Sequence, residues 1–244
     1  MVTIKCKNIT FSNIQAIFFD KNGTLENSEV YLRSLGQKAA RIIDAQIPGI
    51  GEPLLMAFGI NSDTIDPAGL IAVASRRETE IAAAAYIAET GRGWFESLKI
   101  ARQGLDEAEK YLEKSPAPIF TGSLELLQSL SAGGLKLGII SAATTADVKA
   151  FVVRHKLSDY IQAQIGVDDS PSKPDPALFL QACQVVGVEP DTALMVGDAV
   201  GDMQMARNAK AAGCIGITWI GKSDHVQGAD VVIHQLDEIQ VLGF

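Results

Sequence analysis

The second half of the chain alternates short apolar runs with amphipathic segments. The apolar runs predict buried strands at residues 135–140, 161–166, 193–196, 214–218 and 231–233. The intervening segments carry apolar residues at helical spacing and predict helices at residues 124–131, 147–155, 176–186 and 203–212. Strands that alternate with helices indicate parallel pairing through right-handed crossovers, with helices on both faces of the sheet. The pattern therefore predicts a three-layer α/β core with a Rossmann-like parallel sheet.

An earlier apolar run adds one more strand to this sheet. Residues 16–19 are four consecutive apolar residues, which predict a strand covered on both faces, and the Asn22-Gly23 pair then predicts a turn. Asp20 falls at the carboxyl end of this strand, where open α/β sheets bind their ligands. Its carboxylate is a candidate nucleophile.

Residues 27–114 show a different pattern, which is rich in alanine and has no clear strand. Two apolar stripes predict helices that pack into a small bundle: Leu32, Leu35, Ala39 and Ile42, and Trp94, Leu98, Ala101, Leu105, Ala108 and Leu112. Gly104 interrupts the second stripe, which predicts a kink or a split in that helix. We therefore expect an α/β core domain of residues 1–25 and 115–244 and an all-helical cap domain of residues 26–114.

The amino-terminal segment alternates apolar and polar residues over positions 2–11. The alternation changes parity at Lys7-Asn8, which indicates a turn or a bulge there. We expect an edge hairpin without a functional role.

Composition and charge exclude several classes of protein. The chain has 244 residues, of which 47% are hydrophobic and 20% charged, and no apolar run approaches the roughly 18 residues that cross a bilayer. The amino terminus lacks the apolar core of a secretion signal, so we expect a cytoplasmic protein without a membrane partner. A net charge of -8 disfavours a nucleic-acid partner. The three widely spaced cysteines indicate neither a disulfide framework nor a structural zinc site.

Several further polar residues follow predicted strands. Ser141 comes after one strand, and its hydroxyl and the backbone N–H groups that follow, Ala142 first, suit a phosphate oxygen, although a serine there is more often a helix cap. Asp198 and Asp202 lie beside glycines at another strand end and are candidate ligands of Mg²⁺, although Asp202 alone would be an ordinary acidic residue at a helix start. Lys173 lies between prolines in a loop and offers a countercharge, although such a lysine is usually solvated.

These residues occur in the order and at the strand ends that the haloacid dehalogenase superfamily of phosphohydrolases uses. The chain resembles that superfamily, and most of all its phosphoglycolate phosphatase group, over roughly residues 15–25 and 115–240, and the inserted helical segment resembles the superfamily's small α-helical cap. By this resemblance Asp20 is the nucleophile and Thr24 is the closing threonine of the first motif. Ser141, Lys173 and the pair Asp198 and Asp202 would belong to the second, third and fourth motifs.

The resemblance also implies a mechanism. The Asp20 carboxylate would attack a phosphate monoester in line, giving an aspartyl-phosphate that water then hydrolyses. Mg²⁺ bound by Asp20, the backbone carbonyl of Asn22 and Asp198 would reduce the repulsion between the two anions. Asp202 would complete the metal site by orienting a metal-bound water or Lys173 rather than by binding the ion directly. The groups that would hold the phosphoryl oxygens are Thr24, Ser141, Ala142 and Lys173.

Position 22 departs from the superfamily's Asp-x-Asp-x-Thr pattern, because Asn22 stands where its phosphatases have an aspartate. That aspartate protonates the leaving alcohol and later takes a proton from the attacking water. An amide does neither, so we expect ligand binding to survive and the barrier to turnover to rise by roughly 3 to 5 kcal/mol. Lys21 with Gly23-Thr24 is also similar to the Asp-Lys-Thr-Gly-Thr run of P-type ion pumps, whose phosphoenzyme is long-lived because it lacks that acid. Three explanations stay open: an exchange made to trap a complex, a natural variant with weak turnover, and a binder that has abandoned catalysis.

The favoured hypothesis is a magnesium-dependent phosphatase of a small phosphorylated metabolite, because all the other motif residues are present. The alternative is a catalytically impaired phosphate-ligand binding or regulatory protein. A phosphotransferase or mutase is less favoured, since it also needs a proton transfer at Asn22. Arg33, Arg76 and Arg77 lie in the predicted cap and could meet a substrate carboxylate, but exposed helical arginines are usually solvated. The substrate and the oligomeric state stay open.

Overall fold

The computed structural model describes residues 2–112, 116–168, 171–219 and 224–242. Contacts within the chain divide it into two units, residues 1–27 with 119–244 and residues 28–118. The expected domain boundary between residues 114 and 115 lies outside the described residues. Among the described residues, no helix has the length and apolar character needed to span a bilayer.

The strands are β1 (Val2–Cys6), β2 (Ile9–Ile14), β3 (Ala16–Phe19), β4 (Ile60–Asn61), β5 (Thr64–Ile65), β6 (Lys136–Ile140), β7 (Ile161–Ile165), β8 (Ala193–Gly197), β9 (Gly213–Ile217), β10 (Val231–Ile233) and β11 (Ile239–Leu242). The α-helices are α1 (Glu29–Gln46), α2 (Gly51–Phe58), α3 (Leu70–Val73), α4 (Arg76–Glu89), α5 (Trp94–Leu112), α6 (Ser123–Ala132), α7 (Thr145–Arg154), α8 (Ala177–Val186) and α9 (Val200–Asn208). Short 3-10 helices lie at Pro190–Thr192, Asp224–Val226 and Leu236–Glu238.

The first unit is built on a six-stranded sheet in the order β10-β9-β8-β3-β6-β7, with every neighbouring pair parallel. The predicted α/β class and parallel sheet are therefore confirmed. Strand β3 lies in the interior of the sheet, and its side chains alternate between two apolar clusters. Ile17 and Phe19 belong to one cluster, whereas Ala16 and Phe18 belong to the other. Because both faces are covered, all four positions are apolar.

Helix α9 begins three residues before the predicted start at Met203. The reason is local: the side chain of Asp202 accepts a hydrogen bond from the backbone N–H of Ala199 at 3.2 Å, which caps the first turn. The helix also ends at Asn208, before the predicted residue 212, and Lys210 adopts a positive φ of 59° just beyond it. Asp202 therefore lies inside the first turn of the helix.

The amino-terminal hairpin does form, with its turn at Lys7-Asn8, but it is not an edge of the parallel sheet. Strands β1 and β2 pair instead with β11 in a separate antiparallel sheet of the order β11-β1-β2. The expected hairpin is therefore present, with β2 at the edge of this three-stranded sheet, whereas its pairing with β11 was not predicted because β11 comes from the far end of the chain. A local sequence pattern does not predict pairing between strands that lie so far apart in the chain.

The second unit consists mainly of helices α1–α5 around its own apolar cluster. It also contains one short antiparallel pair, β4 and β5, which the expectation of an all-helical segment did not include. Helix α5 runs from Trp94 to Leu112 without a break at Gly104, so the expected split was wrong. A Cβ atom at Gly104 would approach the Ile43 side chain to 2.6 Å, so this glycine allows α1 and α5 to pack closely. Trp94, predicted to be in the core, is 43% exposed at the start of α5. Arg76 pairs with Glu80, Asp106 and Glu109, so its guanidinium already has carboxylate partners inside this unit.

Candidate active site

Three adjacent strands bring polar side chains to one edge of the parallel sheet. Asp20 follows β3, Ser141 follows β6 and Asp198 follows β8, and β3 lies between the other two strands. The backbone N–H of Asp20 donates to the carbonyl of Val196 at 2.8 Å, which extends the pairing of β3 and β8 to the nucleophile candidate itself. Parallel strands end at the same edge, so sequence positions far apart meet here.

The carboxylates of Asp20, Asp198 and Asp202 form one cluster. One oxygen from each lies within 4.8 Å of the others. Asp202 comes from the first turn of α9, and it reaches the cluster over Gly197, where a Cβ atom would collide with its side chain. The structure thus brings together the predicted nucleophile and both predicted metal-site aspartates.

Lys173 lies at the centre of this negative charge. Its Nζ is 2.5 Å from Oδ1 of Asp20 and 2.6 Å from Oδ1 of Asp202, and its side chain is only 7% exposed. Burial alone would lower the pKa of Lys173, but the charges of Asp20 and Asp202 raise it above its ordinary value. The lysine therefore stays protonated. Lys173 lies in the loop between β7 and α8, and residues 169 and 170 of this loop lie outside the described residues.

The chemistry of the cluster fits one hard divalent cation. Three carboxylates face a single ammonium, and burial together with the charges of Asp20 and Asp202 raises the pKa of Asp198 well above its usual range. Burial also raises the pKa of Asp202 to about 6, against the opposing effect of Lys173. A cation such as Mg²⁺, which takes oxygen ligands, would relieve this excess of negative charge. Asp20 and Asp198 could hold such an ion, because one oxygen of Asp202 already pairs with Lys173 and the other accepts a hydrogen bond from Ala199.

The turn after Asp20 folds back on itself. The carbonyl of Lys21 accepts from the N–H groups of Leu25 and Glu26 at 3.0 and 2.8 Å, and Gly23 N–H donates to the Glu26 carbonyl at 2.9 Å. Gly23 has a φ of +74°, and a Cβ atom there would collide with the carboxylate of Asp198. Only glycine combines this backbone conformation with so close an approach.

The side chain of Asn22 is held by its neighbour. Lys21 Nζ donates to Asn22 Oδ1 and also to Glu26 Oε2, the latter at 2.5 Å. The side chains of Lys21 and Glu26 are 9% and 6% exposed, so this ion pair is buried. Arg154 Nη1 lies 3.9 Å from the other oxygen of Glu26, and the Phe151 ring centroid is 5.6 Å from Lys21 Nζ.

The predicted phosphate-binding groups differ in their burial and in their hydrogen bonds. Thr24 Oγ1 is fully buried and has no hydrogen-bond partner among the residues that the structure describes. Ser141 is also buried, and its Oγ accepts from the N–H of Ala143 at 3.2 Å, while Ala142 is half-buried. Ser141 is not the helix cap that a serine here usually provides, because Thr144 caps α7 through a capping box with Asp147. The hydroxyl of Ser141 is therefore not committed to the helix.

Comparison with known proteins gives the family. The family model of haloacid dehalogenase-like hydrolases matches residues 14–210, which is most of the chain. This chain belongs to the haloacid dehalogenase-like hydrolase family. It is similar to the phosphoglycolate phosphatase of Escherichia coli K12, with 25% identity over 236 residues that cover 94% of this chain and 92% of the relative. It is also 32% identical to the beta-phosphoglucomutase of Mycobacterium bovis, over 55% of this chain and 54% of the relative.

Solved structures of this hydrolase family share the fold. A predicted phosphoglycolate phosphatase from Haemophilus somnus has a TM-score of 0.71 with 19% identity, covering 92% of this chain and 96% of that one. The beta-phosphoglucomutase of Clostridium difficile has a TM-score of 0.65 with 18% identity, covering 95% of this chain and 94% of that one. At these identities the likeness concerns the fold.

Sequence reasoning missed two features of the hydrolase site. Neither the Lys21–Glu26 pair nor Trp219 was expected to take part. Trp219 Nε1 donates to the carbonyl of Gly23 at 2.9 Å, and its ring stacks on Phe120 at a centroid distance of 3.8 Å. Opposite charges on both sides of the Asn-Gly turn were a usable signal for the first feature. Trp219 is nearly 200 positions from Gly23, and no local pattern could have found its hydrogen bond.

Proposed function

We propose that this hydrolase is a magnesium-dependent phosphatase of a small phosphorylated metabolite, with turnover weakened by Asn22. Phosphoryl transfer would proceed through an aspartyl-phosphate on Asp20. The observation that carries the proposal is the position of the Lys173 ammonium, which contacts the carboxylates of Asp20 and Asp202, two members of the cluster that also contains Asp198. A fixed cation next to a nucleophile at a strand end suits the transfer of an anionic group.

The first step would be attack by the carboxylate of Asp20 on phosphorus. Lys173 holds Oδ1 of Asp20 and so limits the orientations that this carboxylate can adopt. The same ammonium would offset the charge that accumulates on the phosphoryl oxygens, and the uncommitted hydroxyls of Thr24 and Ser141 would donate to those oxygens. Water would attack the aspartyl-phosphate in the second step and return Asp20 to its carboxylate form.

Asp20, Asp198 and the backbone carbonyl of Asn22 would hold Mg²⁺. When bound, the ion would neutralise negative charge on the carboxylates and on the phosphate. Asp202 would act through Lys173, since its Oδ1 lies 2.6 Å from Nζ.

The similar proteins support phosphate esters as the substrate class. Relatives that cover nearly the whole chain are phosphoglycolate phosphatases at 25% identity, and a beta-phosphoglucomutase covers about half of it. A mutase would need the same proton transfer at position 22 that an amide cannot perform. A phosphatase whose two proton transfers are left to solvent is the more consistent proposal.

Restoring the acid at position 22 tests the proposal. Wild-type protein and Asn22→Asp are compared for hydrolysis of 4-nitrophenyl phosphate and phosphoglycolate, with Mg²⁺ and with EDTA. For phosphoglycolate, whose leaving alkoxide needs a proton, we expect kcat to rise about 10²-fold or more in Asn22→Asp, because general acid–base catalysis typically contributes 10² to 10⁴. For 4-nitrophenyl phosphate, whose leaving group departs as a stabilised anion, we expect a smaller rise. Both activities should need Mg²⁺, and Asp20→Asn in the same background should abolish them.

A binding or regulatory protein gives a different result. If Asn22→Asp stays as inactive as the wild type while both bind phosphate in the presence of Mg²⁺, the phosphatase proposal is wrong. Calorimetric titration of inorganic phosphate, with and without Mg²⁺, supplies that measurement. Intact mass spectrometry before each assay checks that Asn22, which precedes a glycine, has not deamidated to an aspartate.

A further inference from the structure

The surroundings of Asn22 determine which of its two polar groups can face a substrate. The Lys21 ammonium contacts the side-chain amide of Asn22. An ammonium has three donors and no acceptor, so the amide must present its oxygen to Lys21. The NH₂ group is therefore the polar group left for other partners. At position 22 the site therefore offers a group that can donate a hydrogen bond but cannot act as a general acid.

A buried ion pair between Lys21 and Glu26 holds the Lys21 ammonium against the Asn22 side chain. Lys21 Nζ lies 2.5 Å from Glu26 Oε2, and the side chains of both residues are less than one-tenth exposed. Turning the amide over would bring its NH₂ group against the ammonium, donor against donor, in a buried setting where such contacts cost most. The carbonyl of Lys21 also closes the turn by accepting from Leu25 and Glu26 N–H groups. Side chain and main chain therefore hold Asn22 in one orientation.

This arrangement decides which leaving groups the site can expel. A donor can solvate an oxygen that departs as an anion, but it cannot protonate an alkoxide, which is too basic to leave unassisted. We propose that the substrate is a phosphate compound whose leaving oxygen departs as a stabilised anion. This inference rests on the phosphatase function proposed above. Acyl phosphates, enol phosphates, aryl phosphates and phosphoanhydrides belong to this class, whereas alkyl phosphate esters do not.

The reaction balances without an acid at position 22. Asp20 forms a bond to phosphorus as the bond between phosphorus and the leaving oxygen breaks, and the electron pair stays on that oxygen, which departs as an anion. Water then attacks phosphorus, and the electron pair of the bond to Asp20 returns to the carboxylate. The two protons of water remain with the phosphate product. A substrate RO–PO₃²⁻ and water thus give RO⁻ and H₂PO₄⁻.

The test is the dependence of rate on the leaving group. For wild type and Asn22→Asp, kcat/KM is measured with Mg²⁺ for aryl phosphates from nitrophenyl to unsubstituted phenyl phosphate, for acetyl phosphate, and for phosphoglycolate. In the wild type we expect kcat/KM to fall steeply as the leaving oxygen becomes more basic. In Asn22→Asp we expect a shallow dependence, so that the advantage of this variant grows at least about tenfold between acetyl phosphate and phosphoglycolate. Asn13→Asp, which places the same charge at an exposed asparagine in β2, should keep the steep dependence.

Three outcomes overturn the inference. Parallel dependences in wild type and Asn22→Asp would show that position 22 does not govern the departure of the leaving group. A shallow wild-type dependence that turns steep in Lys21→Met would make Lys21 the proton donor. Absence of hydrolysis of every substrate by both proteins would remove the proposed phosphatase function, and the leaving-group inference with it. Detectable turnover with parallel dependences contradicts the leaving-group inference alone, so the two failures are distinguishable.

Discussion

The α-carbon of Gly23 faces Asp198 so closely that a methyl group there would overlap the carboxylate. We expect Gly23→Ala to push Asp198 away from Asp20 and so to weaken Mg²⁺ binding by at least about tenfold and to lower activity. The substitution is also strained, because the φ of +74° is unfavourable for alanine. Calorimetric titration with Mg²⁺ and assays in the Asn22→Asp background measure the two effects.

Gly134 provides the matched control for this change. Its φ is +80°, but no atom lies within 4 Å of the position that a Cβ would take. Gly134→Ala should therefore cost about 1 kcal/mol of stability from backbone strain and leave Mg²⁺ affinity unchanged. Equal losses of affinity in the two variants would show that the contact with Asp198 does not matter.

Removing the ammonium of Lys173 should impair both chemistry and stability. In the Asn22→Asp background, where activity is easiest to measure, we expect Lys173→Met to lower kcat by about 10² to 10³, the usual effect of losing one group that stabilises transition-state charge. Asp20 and Asp202 would lose their shared partner, so the free energy of unfolding should fall by a few kcal/mol, and Mg²⁺ should restore part of it. Activity assays and thermal unfolding with and without Mg²⁺ check this. Lys99→Met, at an exposed lysine in α5, should change neither quantity.

Trp219 should report on the turn that carries Asn22. The chain has two tryptophans, so Trp94→Phe leaves Trp219 as the only one. Because the indole N–H donates to the carbonyl of Gly23, we expect Mg²⁺ to shift or quench the emission of this variant. Trp219→Phe loses that hydrogen bond and should cost about 0.5 to 1.5 kcal/mol of stability. Emission from Trp94→Phe that stays constant while Mg²⁺ raises its melting temperature would contradict this coupling.

The buried thiols should destabilise the protein at alkaline pH. Burial raises the pKa of Cys6 and Cys214 to about 11 and that of Cys183 to about 12, from an ordinary value of 9.0. The unfolded chain releases these protons first, so stability is fully present below about pH 9 and falls as the pH rises towards about 11. At about pH 10 we expect each thiol to contribute a loss of about 1 kcal/mol.

Urea unfolding at about pH 8 and pH 10 measures this loss. The variant that combines Cys6→Ala, Cys183→Ala and Cys214→Ala serves as the control, since it lacks the three titrating groups and should lose less stability over the same interval. An equally large loss in that variant would assign the alkaline effect to other groups, such as lysines.

The strands and helices of the α/β core could be predicted to within a few residues. Strand β3 shows why: both faces of the sheet are covered, so every residue from Ala16 to Phe19 must be apolar, and an uninterrupted run is easy to recognise. The candidate site followed from the same logic, because residues just after parallel strands meet at one edge. Asp20, Asp198 and Asp202 became candidates in this way and Lys173 through its place between prolines, and the resemblance to the family then gave these residues their roles.

The predictions that failed concern residues whose packing or pairing partners are distant in the sequence. Strand β11 was missed because its partner β1 lies at the other end of the chain, and Trp94 was misplaced because periodicity locates a stripe but not the surface that covers it. Gly104 was taken for a break because only the approach of Ile43 shows its packing role.

The sequence by itself determined the parallel sheet, the motif residues at its strand ends and the substitution at position 22. These features follow from local periodicity and from the order of residue types along the chain. Only the tertiary structure decided that Lys21 and Glu26 form a buried pair holding Asn22, and that Trp219 binds the same turn. The direction and depth of a side chain depend on all the elements packed around it, and no local pattern carries that information.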